Sequence, residues 1–203
     1  MRQRLKTAQQ ILQENLTDGA ALLSIPCGYM ADLLTLDYSR VNSVRLVGAD
    51  LDTESIEGAS QFAAELGLAD RTSFVQTDVW DLQYDAEFDQ ISCLGLIPYV
   101  TESRKEDLFR IFFKALKKSG KLLAQFRTAP KRVNAGTEMD LSSVPEEDAR
   151  LSEVIYSEIF EMRNSNFSSS ASITRQLLAA GFSNVEVIFD QYKVLGIAVA
   201  QKD

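Results

Sequence analysis

Residues 21–50 begin with Ala21-Leu-Leu-Ser-Ile-Pro-Cys-Gly28 and end with Val44-Arg-Leu-Val-Gly-Ala-Asp50. Both ends are short apolar runs typical of buried strands, and a helix-like segment separates them, which predicts a βαβ unit. The Pro/Gly turn after the first run lets the backbone approach a ligand closely. Asp50, at the carboxyl end of the second strand, can accept hydrogen bonds from ribose hydroxyls. The stretch therefore predicts a ligand that contains a nucleoside.

The alternation of strand and helix continues along the chain. Five βα-type units are predicted, followed by two strands at 184–189 and 193–201 with no helix between them. The link Asp190-Gln-Tyr192 is too short for a parallel crossover, so these two strands must be antiparallel neighbours. This order predicts an α/β fold in which a doubly wound, mostly parallel sheet has helices on both faces.

The other element boundaries follow from apolar spacing and from turn residues. The capping box Ser103-Arg-Lys-Glu106 predicts the start of a helix that ends at Ser119-Gly120. The remaining predicted strands are 21–25, 44–49, 72–76, 88–94 and 121–127, and the remaining predicted helices are 3–16, 29–36, 52–67 and 170–180.

Residues 128–168 break this rhythm. They contain Pro130, Gly136, Pro145 and an acidic run at 146–148. Irregular stretches of this length between core elements are usually lids or binding loops. We expect a lid or insertion on the substrate side of a single domain that spans 1–203. The segment 153–163 fits either a strand or a helix.

Composition excludes several classes of protein. The net charge of −8 argues against binding to nucleic acid or to anionic membranes. The absence of histidine removes His-based catalytic triads and most zinc sites, and the two cysteines are too few for a disulfide scaffold, so no metal site is predicted. The amino-terminal residues are polar and no apolar run reaches membrane-spanning length, so we expect a cytoplasmic protein. The sequence indicates no oligomeric state.

A cluster of four lysines surrounds the predicted end of the 103–120 helix. Cations at that position complement the helix dipole, which is the interpretation we favour over a basic binding patch. The cluster consists of Lys114, Lys117, Lys118 and Lys121.

Four segments resemble, in order and spacing, the motifs of the class I S-adenosylmethionine-dependent methyltransferases. They are Leu22-Leu-Ser-Ile-Pro-Cys-Gly28, Val47-Gly-Ala-Asp50, Phe74-Val-Gln-Thr-Asp-Val-Trp80 and Phe88-Asp-Gln-Ile-Ser-Cys-Leu94. The resemblance covers nearly the whole chain from Ala21 and includes the hairpin. It implies a seven-stranded sheet of order 3-2-1-4-5-7-6 with strand 7 antiparallel. It also implies S-adenosylmethionine as the cofactor and S-adenosylhomocysteine as its product.

The resemblance assigns roles to individual residues. Asp50 would bind the ribose hydroxyls, and Leu51 would pack on the adenine ring. Asp78 would accept a hydrogen bond from the adenine amino group, with the Val79 backbone N–H facing a ring nitrogen. The other implied cofactor contacts are Ser24, Pro26, Cys27, Gly28 and Leu94.

Each of these assignments has a structural alternative. Asp50 could be a surface carboxylate that ends a strand, and Asp78 could cap a turn. Trp80 fits a wall of the adenine pocket or a core aromatic equally well. Cys27 and Cys93 lie near the ends of neighbouring predicted strands, where they could share a pocket or be two separate buried hydrophobes.

The first loop departs from the family pattern. Ser24 stands where the family has an acid, Pro26 where it has its first glycine, and Met30 where it has its last. Proline cannot donate a hydrogen bond, and the Met30 side chain adds bulk, so we expect a narrower pocket for the methionine end of the cofactor. The alternative function is therefore a non-catalytic protein that binds nucleosides or other partners.

Methyl transfer depends mainly on proximity and orientation, so it requires few catalytic side chains. Tyr99 follows the fourth strand and is the candidate for aligning the methyl acceptor; a packing role is the alternative. The acceptor would be a small molecule or a protein side chain lying against residues 128–168.

Overall fold

The computed structural model describes residues 2–129 and 166–203, together with 134, 136–142, 144–145, 147–148 and 150–151 between them. The predicted segment 153–163 lies outside these residues, as does much of the expected lid.

Seven strands form one sheet of order β3-β2-β1-β4-β5-β7-β6. The pairs β1–β2, β2–β3, β1–β4 and β4–β5 are parallel, and β7 is antiparallel to both β5 and β6. The predicted fold class, strand order and terminal hairpin are therefore confirmed. The strands are β1 Ala20–Ser24, β2 Val44–Asp50, β3 Thr72–Gln76, β4 Phe88–Cys93, β5 Leu116–Arg127, β6 Ser183–Phe189 and β7 Leu195–Gln201.

In the continuously described ranges 2–129 and 166–203, five helices flank the sheet: α1 Arg2–Glu14, α2 Ala31–Leu34, α3 Thr53–Glu65, α4 Lys105–Ala115 and α5 Ser170–Ala179. Side chains alternate along each strand, so the sheet has two apolar faces. One core cluster contains residues of α1, α2 and α3, and the other contains residues of α4 and α5. In the described part of the chain, no helix is long and apolar enough to cross a membrane.

The boundary between α4 and β5 differs from the prediction. The helix ends at Ala115, and Leu116 already pairs with Phe88 on β4. The register then shifts, so that Gln90 pairs with Lys121. Ser119 has a φ of 63°, which identifies the irregular residues 117–120 as a bulge in the strand rather than a helix end.

The predicted capping box does not form. A 3₁₀ turn, Glu102–Arg104, precedes α4, and the residue at the helix cap is Arg104, whose side chain makes no capping hydrogen bond. Glu106 forms an ion pair with Arg110 one turn later.

The C-terminus of α4 is bound by a lysine outside the predicted cluster. The Lys202 Nζ donates hydrogen bonds to the carbonyl oxygens of Phe113 (2.8 Å) and Leu116 (2.7 Å). Lys117 instead binds Asp89 at 2.6 Å, and Lys121 binds Asn15. Strand β7 thus brings a distant cation to the place where the helix dipole requires one.

Candidate cofactor site

The loop after β1 lies at the carboxyl edge of the sheet. Backbone hydrogen bonds attach it to the two neighbouring strands, β4 and β2. The Ile25 N–H donates to the Ser92 carbonyl oxygen and the Cys27 N–H to that of Ala49, both at 2.9 Å. Gly28, with φ of 48°, has left-handed backbone geometry, and no atom lies within 4 Å of the position a Cβ would occupy there. The same holds at Gly95, where φ is 111°, just beyond β4. Two glycines therefore border open space where two parallel strands end.

Asp50 connects this loop to the second strand. Its Oδ2 accepts a hydrogen bond from the Gly28 N–H at 2.9 Å, and its Oδ1 accepts one from the Asp52 N–H at 3.1 Å. An ionised carboxylate has about four acceptor positions, so about two remain for a ligand. The next residue, Leu51, is 66% exposed at the same edge.

Asp78 and Trp80 follow β3. The Asp78 Oδ1 accepts a hydrogen bond from the Trp80 N–H at 3.1 Å and caps the 3₁₀ turn Val79–Asp81, so the turn-cap role is present. Val79 is buried. Trp80 is half-buried against the core, and the Arg104 guanidinium carbon lies 3.7 Å from the centre of its ring. Packing alone accounts for the position of Trp80.

The Met30 side chain lies in the core beneath the loop. It is fully buried, and its Sδ lies 3.1 Å from the position a Cβ on Gly48 would take. The absence of a side chain at Gly48 makes room for the sulfur. Met30 therefore adds its bulk to the core, away from the open side of Gly28, contrary to the narrowing that we expected from it.

The two cysteines are not brought together. Cys27 belongs to the core cluster of α1–α3, and Cys93 to the cluster of α4 and α5. Burial, with a smaller contribution from nearby carboxylates, raises the pKa of Cys27 to about 12, and burial raises that of Cys93 to about 12. Both are free thiols and behave as small buried hydrophobes.

Tyr99 ends the 3₁₀ turn Ile97–Tyr99 after β4 and is 64% exposed. The Asn166 N–H donates to the Pro98 carbonyl oxygen at 2.7 Å, so the segment that follows the expected lid docks beside Tyr99. Leu94 is half-buried against the α1–α3 core.

Sequence reasoning missed Asp32. This residue lies on α2, is 6% exposed, and accepts hydrogen bonds from the Ser24 Oγ at 2.9 Å (to Oδ2) and 3.1 Å (to Oδ1). The available signal was an acid within the apolar run Ala31-Asp-Leu-Leu34. Ser24 thus has a carboxylate against it, supplied by the following helix.

Comparison with known proteins identifies the family. The family model described as mycolic acid cyclopropane synthetase matches residues 2–191. A comparison with curated protein sequences finds no match.

Three solved structures illustrate the similarity. A chain described as a possible exported protein from Bordetella parapertussis is 31% identical, with a TM-score of 0.94; the match covers 99% of this chain and 67% of that one. Magnesium protoporphyrin IX methyltransferase from Synechocystis, solved with bound S-adenosylhomocysteine, is 15% identical (TM-score 0.69; coverage 99% and 83%). A cyclopropane synthase from Mycobacterium tuberculosis is 16% identical (TM-score 0.68; coverage 98% and 82%).

The last two similarities establish the fold alone, whereas the family match spans most of the chain. The sheet order and the antiparallel β7 agree with that match. The chain belongs to the mycolic acid cyclopropane synthetase family, within the class I S-adenosylmethionine-dependent methyltransferases.

Proposed function

We propose that this protein binds S-adenosylmethionine and transfers its methyl group to a small molecule or a protein side chain. The observation that carries the proposal is the position of Asp50, whose carboxylate holds the Gly28 loop and has acceptor capacity left at the sheet edge.

The residues present at this edge fit such a cofactor. Gly28 and Gly95 leave space that a Cβ would fill, and Leu51 offers an exposed apolar surface for a planar ring. Asp78 uses Oδ1 in its turn cap, and a carboxylate has acceptor capacity beyond one hydrogen bond. These groups surround the carboxyl ends of β1–β4, where ligands bind in open α/β sheets.

S-adenosylmethionine, when bound, supplies a methyl group already activated by the positive charge on sulfur. The protein then has to bind the cofactor and the acceptor and to orient them towards each other. Asp50 would hold the ribose, Leu51 and Asp78 would hold the base, and the Gly28 backbone would line the pocket. Tyr99 is exposed, next to Pro98, to which Asn166 binds, and it would align the acceptor.

The proposal is tested by titration calorimetry with S-adenosylmethionine and S-adenosylhomocysteine. We expect both to bind the wild-type protein. Asp50→Ala should weaken binding by roughly 10- to 100-fold, because hydrogen bonds to a charged group contribute about 1.5–3 kcal/mol. Asp52→Ala is the matched control: this neighbouring carboxylate accepts from the Ser55 N–H at the start of α3, so its loss should leave affinity unchanged.

Two results would contradict the proposal. If the wild-type protein binds neither compound at millimolar concentration, S-adenosylmethionine is not its cofactor. Unchanged affinity in Asp50→Ala would show that the site lies elsewhere. Transfer is then measured with methyl-labelled S-adenosylmethionine and a panel of acceptors, with Asp50→Ala as the inactive reference.

A further inference from the structure

Arg4 and Gln125 form a contact between a charged and a neutral side chain. The Arg4 Nη1 donates a hydrogen bond to the Gln125 Oε1 at 3.0 Å, and Arg4 is half-buried. Among the described residues, Arg4 forms no ion pair with a carboxylate. A guanidinium has five N–H donors and a full positive charge, and a neutral amide compensates only part of the cost of burying it. The contact is therefore suited to receive an anion.

Gln125 supplies a second donor at the same place. It lies on β5 and is 1% exposed. In the described part of the chain, its Nε2 contacts the Phe126 carbonyl oxygen at 3.5 Å, which is longer than the usual N–H···O hydrogen bond. Buried side-chain amides normally have partners for their polar atoms. The Gln125 Nε2 is therefore a donor available to a ligand beside the Arg4 guanidinium.

Helix α1 brings Arg4 to the carboxyl edge of the sheet. Asn15, just beyond the helix, binds Lys121, whereas Arg4 binds Gln125 four residues further along β5. The helix thus runs antiparallel to β5, and its first turns lie where that strand ends. This is the edge that holds the candidate cofactor site.

The pair lies beside the open part of that edge. Cys93 on β4 pairs with Ala124 on β5, so the next residue, Leu94, lies beside Gln125. Gly95 follows, and no atom lies within 4 Å of the position a Cβ would occupy there. The 3₁₀ turn that ends at Tyr99 also contacts β5. Arg4 is therefore close to the place proposed for the methyl acceptor.

Arg127 adds a second positive charge at the end of β5. It follows Gln125 by two residues, so the two side chains lie on the same face of the sheet. The Arg127 guanidinium carbon lies 5.5 Å from the centre of the Phe167 ring. The Arg127 carbonyl oxygen accepts a hydrogen bond from the Ser168 N–H at 2.9 Å, so the residues that return from the expected lid meet this charge.

We propose that the methyl acceptor carries a carboxylate, and that Arg4 and Gln125 bind this group. This inference rests on the proposed function and names the chemical class of its acceptor. The carboxylate would accept hydrogen bonds from free N–H groups of Arg4 and from the Gln125 Nε2, and it would supply the negative charge that the contact lacks.

A carboxylate fits these surroundings better than a phosphate or a neutral group. The donors are largely buried, so a bound anion has to give up most of its water, and this cost rises with its charge. A carboxylate carries one negative charge, whereas a phosphate monoester carries nearly two at neutral pH. A neutral group would leave the charge of Arg4 uncompensated.

The test compares benzoate with benzamide, which have nearly the same shape and differ in charge. Both are titrated into nitrogen-15-labelled protein saturated with S-adenosylhomocysteine, and dissociation constants are read from chemical-shift changes. We expect the wild type to bind benzoate about tenfold more tightly than benzamide, and Arg4→Gln to bind the two alike. The matched control is Lys6→Gln, which removes the same charge from an exposed position of the same helix and should keep the preference.

Gln125→Glu gives a second variant of almost unchanged shape. Its carboxylate would pair with Arg4 inside the protein, so an external anion would no longer be needed. We expect this variant to fold, as measured by calorimetric melting, and to lose the preference for benzoate. Arg4→Gln and Gln125→Glu should both keep the wild-type affinity for S-adenosylhomocysteine.

Several results would overturn the inference. The wild type could bind benzoate no better than benzamide, or Arg4→Gln could keep the preference. Weaker binding of S-adenosylhomocysteine by Arg4→Gln would assign Arg4 to the carboxylate of the cofactor instead. Tighter binding of phenyl phosphate than of benzoate would assign the site to phosphate. Failure of the proposed function is read separately, as failure of the wild type to bind S-adenosylhomocysteine.

Discussion

At the scale of single residues, the sheet edge holds two carboxylates in different surroundings. Asp50 is partly exposed and holds the Gly28 loop through a hydrogen bond from the Gly28 N–H. Asp32 is buried and accepts hydrogen bonds from the Ser24 hydroxyl. Burial disfavours the charged form of a carboxyl group, and it raises the pKa of Asp32.

The visibility of strand ends decides which of these residues the sequence offers as candidates. Asp50 and Asp78 are candidates because each follows an apolar run, and their roles stay predictions. The orientation of Met30 was not predictable, because it depends on the gap that Gly48 leaves on another strand. Asp32 was missed because a carboxylate's burial depends on what packs over it.

Asp32 also gives a pH-dependent prediction. Burial raises the pKa of Asp32 in the folded protein above its ordinary value of 3.8. The folded protein then binds more protons than the unfolded chain at this residue, so stability falls as pH rises from about 4. Asp32→Asn removes that loss. We expect the melting temperature of Asp32→Asn, relative to that of the wild type, to be higher at pH 7 than at pH 4, measured by calorimetry without ligand. A difference between the two proteins that is the same at pH 4 and pH 7 would contradict this reading.

The cysteines provide a chemical prediction. With a pKa of about 12, neither Cys27 nor Cys93 has appreciable thiolate at neutral pH. Iodoacetamide at pH 7.5 should label neither residue in the native protein and both in urea, as read by mass spectrometry. Rapid native labelling of either would mean that the thiol is open to solvent.

At the scale of elements, α5 is attached to α4 through polar contacts at its start. Lys105 is fully buried, and its Nζ donates to Glu102 at 2.9 Å and to Ser168 at 2.5 Å. Burial raises the pKa of Glu102, but hydrogen bonds from Ser172 and Lys105 outweigh it and leave that pKa below its usual value. Lys105 therefore fixes the residues that return from the expected lid.

Removal of this lysine should destabilise the protein. Lys105→Ala leaves Ser168 and Glu102 without their cation. We expect the free energy of unfolding to fall by about 1.5–3 kcal/mol. The loss is not larger because Glu102 is half-exposed, so water can solvate its carboxylate in the variant. Urea denaturation measures the change. Lys114→Ala, an exposed position on the same helix, should change it by less than about 0.5 kcal/mol. Equal effects of the two substitutions would contradict the role given to Lys105.

The elements also show where local patterns fail. The capping box 103–106 and the Ser119-Gly120 stop are sound helix signals, yet α4 starts after a 3₁₀ turn and ends at Ala115. Pairing of Leu116 with Phe88 on β4 decides that boundary, and such pairing joins residues far apart in sequence. Strand order was predictable because hairpin length and alternation leave few topologies.

At the scale of the whole molecule, charge and fold limit the partners. The net charge of −8 predicts that the protein does not bind heparin or duplex DNA. We expect it to pass through a heparin column at about 50 mM salt, where a phosphate-binding surface would be retained most strongly. Retention that is lost at high salt would reveal a local basic surface. The cytoplasmic location and the identity of the acceptor stay predictions from the sequence.

The place of β7 also affects how the chain is made. Synthesis delivers β6 before β7, but among the described strands β6 pairs with β7 alone, and β7 lies between β6 and β5. A nascent chain that has reached residue 190 therefore carries one strand with no neighbour and an open edge on β5. Open edges are the usual starting points of aggregation. For this chain that exposure ends only when residues 195–201 have left the ribosome.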